Sequence, residues 1–140
     1  MINYDFSQNI TQPDDFTNAT GINLYNELVS RVNNDVDENN DDAFVRRFIK
    51  EIEDWCKDYL TENYDFNGVV NVDNPFIKQR FVKGVVCQIE YVLESGSIDN
   101  LSGLKDGNYI VPREVLNKLA LSPNAKRSFW LGGMANIKRY

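Results

Sequence analysis

The sequence contains no histidine. Histidine is the side chain whose charge changes near neutral pH, so it is the most common general base and a frequent metal ligand. Its absence excludes Ser-His-Asp triads, Cys-His pairs and histidine metal sites. The chain is therefore expected not to be an enzyme, and no metal or cofactor is predicted.

Cysteine is scarce as well, with only Cys56 and Cys87 present. Two cysteines are too few for the disulfide framework of a small secreted domain. Both fall on apolar faces of predicted helices, which favours buried free thiols. The alternative is a redox pair or a thiolate nucleophile, and that chemistry would need a basic partner to lower the pKa of a thiol.

Long hydrophobic runs are absent too. Although 42% of the 140 residues are hydrophobic, the apolar stretches span only a few residues, well short of the roughly 20 that cross a membrane. The N-terminus, MINYDFSQN, has no basic segment of the kind that opens an export signal. The sequence thus predicts a soluble protein with one compact core and no membrane contact.

The charge that is present is unevenly distributed. Residues 1–65 hold 15 acids and 5 bases, whereas residues 66–140 hold 6 acids and 10 bases. A subunit polarised in this way suits head-to-tail association, in which the acidic face of one copy meets the basic face of the next. The alternative is a solvated acidic arm attached to a domain of little net charge.

Hydrophobic spacing predicts an all-α fold, a small helical bundle with two long core helices, shorter flanking helices and extended termini. Residues 1–20 show no sustained period and are predicted to form an extended N-terminal arm. Residues 21–133 are predicted to be a single helical domain, and residues 134–140 a basic C-terminal tail. Within the domain, a first short helix is expected from Ile22, followed by an acidic loop from Asn33.

The first long helix has the strongest periodic pattern. Asp41 or Asp42 can cap it, and it is expected to cover residues 43–62. Its apolar positions form one stripe, as in a surface helix that buries a single face. They are Phe44, Val45, Phe48, Ile49, Ile52, Trp55, Cys56, Tyr59 and Leu60.

The second long helix is marked by its capping residues. Asn74 followed by Pro75 is a helix start, and Ser95 begins the stop signal. Gly84 inside this helix indicates either the close approach of another backbone or a tolerated glycine. The connection before it is expected to be a loop, or a short strand at residues 69–72.

The C-terminal third predicts two short helices. A loop with a possible strand at residues 109–111 comes first, Pro112 can open one helix, and Ser122 with Pro123 opens a second that ends at Gly132. The pair could form a helix-turn-helix with basic side chains facing phosphates. The overall acidity and the two adjacent aromatic residues argue instead for packing or subunit contact. The candidate subunit-interface residues are Lys126, Arg127, Phe129 and Trp130.

Carboxylates are concentrated on the first long helix, at Glu51, Glu53, Asp54, Asp58 and Glu62. Such a cluster could serve a metal-dependent nuclease or acid-base chemistry. The carboxylates alternate with basic residues, however, and pairs such as Glu53 with Lys57 favour a solvated face. A calcium loop from Asp35 is rejected, because Asn40 and Arg46 replace the glycine and glutamate that the site requires.

Three segments, in this order, resemble the head-tail connector proteins of tailed bacteriophages, also called head-completion or adaptor proteins. They are FIKEIEDWCKDYLTENYDF, PFIKQRFVKGVVCQIEYVLESGSIDNL and LSPNAKRSFWLGGM. The resemblance covers about residues 43–135. The matching positions are Phe81, Lys83, Val85, Gln88, Glu90, Tyr91, Leu93, Gly96, Leu121, Ser122, Pro123, Ala125 and Gly132.

The resemblance implies a structural virion subunit at the head-tail interface, assembled in the host cytoplasm. Such a subunit forms a ring, usually of twelve copies, that docks on the portal protein, receives a stopper or tail-completion protein and lets genomic DNA pass through its lumen. The family's C-terminal segment commonly grips the portal, which assigns that role to Ile137, Lys138, Arg139 and Tyr140. A frayed terminus is the alternative for the tail. An acidic helix-turn-helix DNA-binding regulator is the alternative for the whole chain.

Overall fold

The structure is a computed structural model that describes residues 9–31, 41–96 and 111–138. Its described residues contain helices and no strand, which confirms the predicted all-α bundle with two longer helices packed together. The helices, in chain order, are α1 (Pro13–Thr20), α2 (Leu24–Arg31), α3 (Asp41–Asn63), α4 (Pro75–Glu94), α5 (Arg113–Leu119) and α6 (Pro123–Leu131). The acidic loop from residue 33 to residue 40, the segment 97–110, Arg139 and Tyr140 lie outside the described residues.

The predicted caps of α4 and α6 are confirmed. Asn74 Oδ1 accepts hydrogen bonds from the backbone amides of Phe76, at 3.0 Å, and Ile77, at 3.3 Å. Pro75 takes the first helical position, where no amide donor is needed. At α6, Ser122 Oγ accepts from the amide of Ala125 at 3.4 Å. These local signals fix where both helices begin.

α4 packs most extensively against α6 and also contacts α3 and α1, and α2 packs against α3. Residues of all these helices contribute to one core. Residues 64–74 join α3 to α4, and Lys57 Nζ lies 5.8 Å from the centre of the Phe81 ring, so the last turns of α3 lie beside the first turns of α4. The largest fully buried side chains are Trp55, Phe16, Phe48, Phe81, Phe129, Leu24, Leu28, Ile49, Ile52, Leu60 and Ile89. The members of this set that belong to α3 all lie on the apolar stripe predicted from the spacing.

The extended arm expected over residues 1–20 is wrong for residues 13–20, because they form α1. The Asp15 carboxylate accepts a 2.8 Å hydrogen bond from the amide of Gln12 and so stabilises the first turn. Phe16 is the buried residue of α1. A helix of eight residues with one buried side chain has too few apolar positions to show a period.

Gly84 lies where α4 meets α6, and the close approach is made by a side chain rather than by a backbone. A Cβ at this position would come within 2.6 Å of Cζ of Phe129. The Phe129 ring also lies 5.7 Å from the Phe81 ring, centre to centre. Glycine at position 84 therefore creates the space that the Phe129 ring fills.

Candidate interaction surface

An open depression of about 280 Å³ lies where three segments meet: residues 64–74, the first turn of α4 and the residues after α6. A backbone hydrogen bond of 2.8 Å from Asp65 N to Asn136 O joins the first of these segments to the last. The lining residues are Asp65, Phe66, Asn67, Val69, Asn71, Ile77, Gly132, Gly133 and Met134. The sequence was equally compatible with a loop or a strand at residues 69–72. In the structure they belong to the loop between α3 and α4.

Exposed apolar side chains lie on the segments that form the depression and on α6 just before it. Val69 lines it, Phe76 and Leu131 each adjoin a lining residue in the chain, and Ile137 follows Asn136. The exposed fractions are 71% for Val69, 50% for Phe76, 58% for Trp130, 38% for Leu131 and 84% for Ile137. We call these five residues and the depression the apolar end. Clustered apolar exposure of this kind is typical of surfaces that bind another protein.

The C-terminal tail packs against the end of α3 over residues 134–138. Met134 and Ala135 are each only 3% exposed, so they belong to the core. Lys138 Nζ donates a 3.0 Å hydrogen bond to the carbonyl of Glu62. Among the described residues of the tail, Ile137 is the exposed large apolar one. A frayed terminus is therefore wrong for residues 134–138.

The four interface candidates of α6 divide into two groups. Lys126, Arg127 and Trp130 are exposed, and Lys126 Nζ lies 5.7 Å from the centre of the Tyr64 ring. Phe129 is fully buried against α4, so its assignment to a subunit interface is wrong. The helical pattern identifies an apolar pair at positions 129 and 130, but only packing decides which ring turns inwards.

The solvated face expected for the carboxylates of α3 is wrong for Glu51 and Glu53, which are 6% and 1% exposed. Glu53 accepts from the backbone amides of Thr11, at 2.8 Å, and Ile10, at 3.2 Å. Glu51 accepts from the amide of Val111 at 3.1 Å. The two carboxylates thus bind segments that flank α3 in space and are distant in sequence.

A signal for this burial is present in the spacing. Glu53 stands four residues after Ile49 and three before Cys56, so it lies on the buried stripe of α3. Burial raises the pKa of Glu53, although the hydrogen bonds from Thr11 and Ile10 and the charge of Lys57 act in the opposite direction. The Nζ of Lys57 lies 4.0 Å from the carboxylate. A structural role as acceptor for two amides accounts for this buried carboxylate.

The two cysteines are free thiols. Burial, with a smaller effect from Glu53, raises the pKa of the Cys56 thiol. Cys87 is half-buried, and burial followed by the charge of Glu90 raises its pKa as well. Both shifts disfavour the thiolate, the form that a nucleophile or a metal ligand requires.

Gln88 connects two of the segments that carry the connector resemblance. Its side chain is fully buried. Its Oε1 accepts a 2.8 Å hydrogen bond from the amide of Ser122, and its Nε2 donates a 3.0 Å hydrogen bond to the carbonyl of Ala120. One glutamine thus fixes the turn between α5 and α6 on the middle of α4. Further along α6, Ser128 Oγ donates to the carbonyl of Arg80, also on α4, at 2.7 Å.

No helix in the described part of the chain is both long and apolar enough to span a membrane. The same residues include no cluster of three or more acidic or cysteine side chains placed to hold a metal ion. Comparison of the chain with protein-family models, with curated proteins and with solved structures found no match.

Proposed function

We propose that this chain is a non-enzymatic structural subunit of a tailed-bacteriophage particle, a head-tail connector or adaptor. In this role, copies assemble into a ring, usually of twelve, that docks beneath the portal protein. The ring receives a stopper or tail-completion protein on its far side and lets the genomic DNA pass through its lumen. Its location is the virion after assembly in the host cytoplasm.

The observation that carries this proposal is the junction made by Gln88. The second resembling segment ends at Leu101 and the third begins at Leu121, and Gln88 and Ser122 both belong to the matching positions. In the folded chain these two residues share a 2.8 Å hydrogen bond, and α4 packs along α6. The matching positions therefore belong to one folded unit, which supports a common architecture over a chance similarity of isolated helices.

The apolar end supports the part of the proposal that concerns partners. A subunit held between a portal and a tail-side protein needs a surface that a partner can desolvate. Val69, Phe76, Trp130, Leu131 and Ile137 offer such a surface. The portal-docking role of the tail is accordingly proposed for Ile137 and Lys138, together with Arg139 and Tyr140, whereas Met134 and Ala135 support the fold.

The proposal is tested by mixing the purified chain with the portal protein encoded in the same genome and imaging the product by electron microscopy. A ring of additional density beneath the portal is the expected result. A variant that lacks residues 137–140 should stay folded and lose the ring. A folded wild-type chain that leaves the portal bare would overturn the proposal.

An acidic helix-turn-helix regulator is the second candidate, because α5 and α6 are two short helices joined by a three-residue turn, with Lys126 and Arg127 exposed. Binding of duplex DNA by these residues should weaken steeply as salt rises, since counterions are released from the phosphates. Gel-shift titrations at several salt concentrations measure this. Reversal of Lys126 and Arg127 to glutamate should abolish binding if this candidate is correct.

A further inference from the structure

Helix α5 is attached to the bundle by one buried apolar residue and by two polar contacts with α3. Leu116 is the buried residue of α5. Nε1 of Trp55 donates a 2.9 Å hydrogen bond to Oδ1 of Asn117. The guanidinium of Arg113 forms a 2.7 Å ion pair with the carboxylate of Asp58. Because positions 55 and 58 are three residues apart, both contacts lie on the same face of α3.

The chain just before α5 extends this attachment. Oε1 of Glu51 accepts a 3.1 Å hydrogen bond from the amide of Val111. Position 51 is four residues before Trp55, so the three contacts follow one face of α3 over two helical turns. We call Glu51, Trp55 and Asp58 the α3 face, and we call residues 111–119, which contact all three, the lid.

The α3 face depends little on the lid. Glu51 also forms a 3.2 Å ion pair with Nε of Arg47, and both of these residues belong to α3. The side chains of Asp58 and Arg113 are 54% and 46% exposed, so water can replace their ion pair at small cost. Trp55 is 2% exposed, and its N–H is the buried donor that needs a new acceptor when the lid leaves.

Helix α6, in contrast, is fixed to α4. Oε1 of Gln88 accepts a 2.8 Å hydrogen bond from the amide of Ser122. Further along, Ser128 Oγ donates a 2.7 Å hydrogen bond to the carbonyl of Arg80. The lid and α6 are therefore attached to different helices, and residues 120–121 form the joint between them.

The joint is strained at Ala120. Its backbone has φ 61° and ψ −169°, a region that is essentially restricted to glycine. Among the described residues, Ala120 is the only non-glycine residue with a positive φ. Its amide donates to the carbonyl of Leu116 at 2.9 Å, and its carbonyl accepts from Nε2 of Gln88 at 3.0 Å. These two bonds hold Ala120 in place while the lid is docked, and release of the lid frees it to relax.

We propose that the α3 face is a docking site for a short amphipathic helix of a partner protein, and that the lid occupies this site in the free chain. The lid shows which helix fits: one with a leucine, a basic residue three positions before it and a carboxamide directly after it, as in Arg113, Leu116 and Asn117. The strain at Ala120 favours release by roughly 5- to 100-fold in the equilibrium constant. A partner helix with the same groups can therefore displace the lid about the joint.

Hydrogen exchange of the full chain, followed by mass spectrometry, tests the release of the lid. Amides of residues 113–119 should exchange through local opening, faster than those of α4 and α6. Ala120→Gly should slow exchange in the lid by about 3- to 30-fold, because glycine adopts this conformation without strain. Ala43→Gly, at an exposed position of α3, is the matched control and should leave exchange in the lid unchanged.

Two outcomes of this experiment overturn the inference. One is exchange of the lid at the same rate as α4, because the lid would then open only when the whole chain unfolds. The other is exchange in Ala120→Gly that is no slower than in the wild type, because the joint would then store no strain.

A synthetic helix tests the docking site. Leu116→Ala weakens the lid, and Trp130→Phe in the same chain leaves Trp55 as the sole tryptophan. A capped peptide of residues 111–119 should bind this variant saturably, as followed by the fluorescence of Trp55. It should bind roughly tenfold more weakly to Trp130→Phe alone, because the intact tethered lid competes at high effective concentration. The same peptide with Arg113→Glu and Asn117→Ala is the control and should bind less tightly.

Equal affinity for the two peptides overturns the docking site, and so does the absence of binding to the lid-weakened variant. Circular dichroism compares the helix content of that variant with the wild type, and loss of the whole fold would overturn the lid as a separate unit. The proposed function does not use the α3 face. The inference and the connector proposal can therefore fail independently, since imaging of the portal complex does not test the lid.

Discussion

The backbone amide of Thr11 donates a 2.8 Å hydrogen bond to Oε1 of Glu53, which lies 42 residues further along the chain. The amide of Ile10 donates to the other carboxylate oxygen at 3.2 Å. Thr11 is fully buried and Glu53 is 1% exposed. A single carboxylate therefore satisfies two amides and holds the residues before α1 against α3.

Replacement of Glu53 by alanine should lower the free energy of unfolding by about 2–5 kcal/mol, because two backbone amides lose their acceptor in a buried site. Urea unfolding followed by circular dichroism measures the change. Glu62→Ala on the exposed side of the same helix is the control, with an expected effect of about 0.5 kcal/mol or less. Equal losses in both variants would show that Glu53 has no special role.

The stability of the fold should depend on pH, because Glu53 is a buried acid. Burial raises the pKa of Glu53 above its ordinary value of 4.5, so the folded chain binds this proton more tightly than the unfolded chain does. Its contribution to stability is fully present below pH 4.5 and is lost as the pH rises through the raised pKa. Glu53→Gln removes this titration.

The difference in unfolding free energy between wild type and Glu53→Gln should therefore move in favour of the wild type as the pH falls from 8 towards 4. Urea titrations over this range measure it. A difference that moves the other way would mean that the hydrogen bonds and Lys57 outweigh burial.

Gly84→Ala should destabilise the chain by about 1–3 kcal/mol, because the added methyl group overlaps the Phe129 ring. The exposed substitution Gln79→Ala on the same helix controls for helix propensity. In a Phe129→Ala background, Gly84→Ala should instead stabilise by about 1 kcal/mol, the ordinary advantage of alanine over glycine in a helix. Thermal unfolding of the four combinations measures this coupling, and additive effects would contradict the contact.

Two truncations should have different consequences. Removal of residues 137–140 takes away the exposed Ile137 and the surface hydrogen bond of Lys138, and should leave the melting temperature nearly unchanged. Removal of residues 134–140 also deletes Met134 and Ala135, which are buried, and should lower the melting temperature sharply. Differential scanning calorimetry compares them. A longer truncation that melts like the shorter one would contradict the placement of Met134 and Ala135 in the core.

Phe129 and Trp130 are adjacent aromatic residues of α6, so their substitutions by alanine can be compared directly. Phe129→Ala should cost about 3–5 kcal/mol of stability, because it empties a fully buried site. Trp130→Ala should leave stability almost unchanged and weaken assembly with a partner, because this ring is 58% exposed at the apolar end. Urea unfolding measures the change in stability, and light scattering measures the change in assembly. Loss of stability in Trp130→Ala would place that ring in the core.

The parts of the fold that were predictable from the sequence depend on local chemistry. Asn74 with Pro75, and Ser122 with the proline after it, mark helix starts because capping involves only the next two or three amides. The two long helices were predictable as well, because the spacing of their apolar residues is also a local signal. Helix α1 was missed because one buried residue, Phe16, gives no period.

The parts that were not predictable depend on contacts between distant segments. The spacing places Glu53 on the buried stripe, but the partners of Glu51 and Glu53 were not predictable, because backbone amides have no signature in the sequence. The apolar end exists only because the loop before α4, the start of α4 and the tail meet in space. For the same reason, the spacing along α6 cannot distinguish buried Phe129 from exposed Trp130.

The buried carboxylates of α3 constrain how this sequence can change during evolution. Glu51 and Glu53 bind the amides of residues 10, 11 and 111, and every residue except proline supplies such an amide. Substitutions at those three positions can preserve the attachment as long as they avoid proline and fit the buried space at Thr11 and Val111. Related chains can therefore diverge at the positions being held while they retain both glutamates.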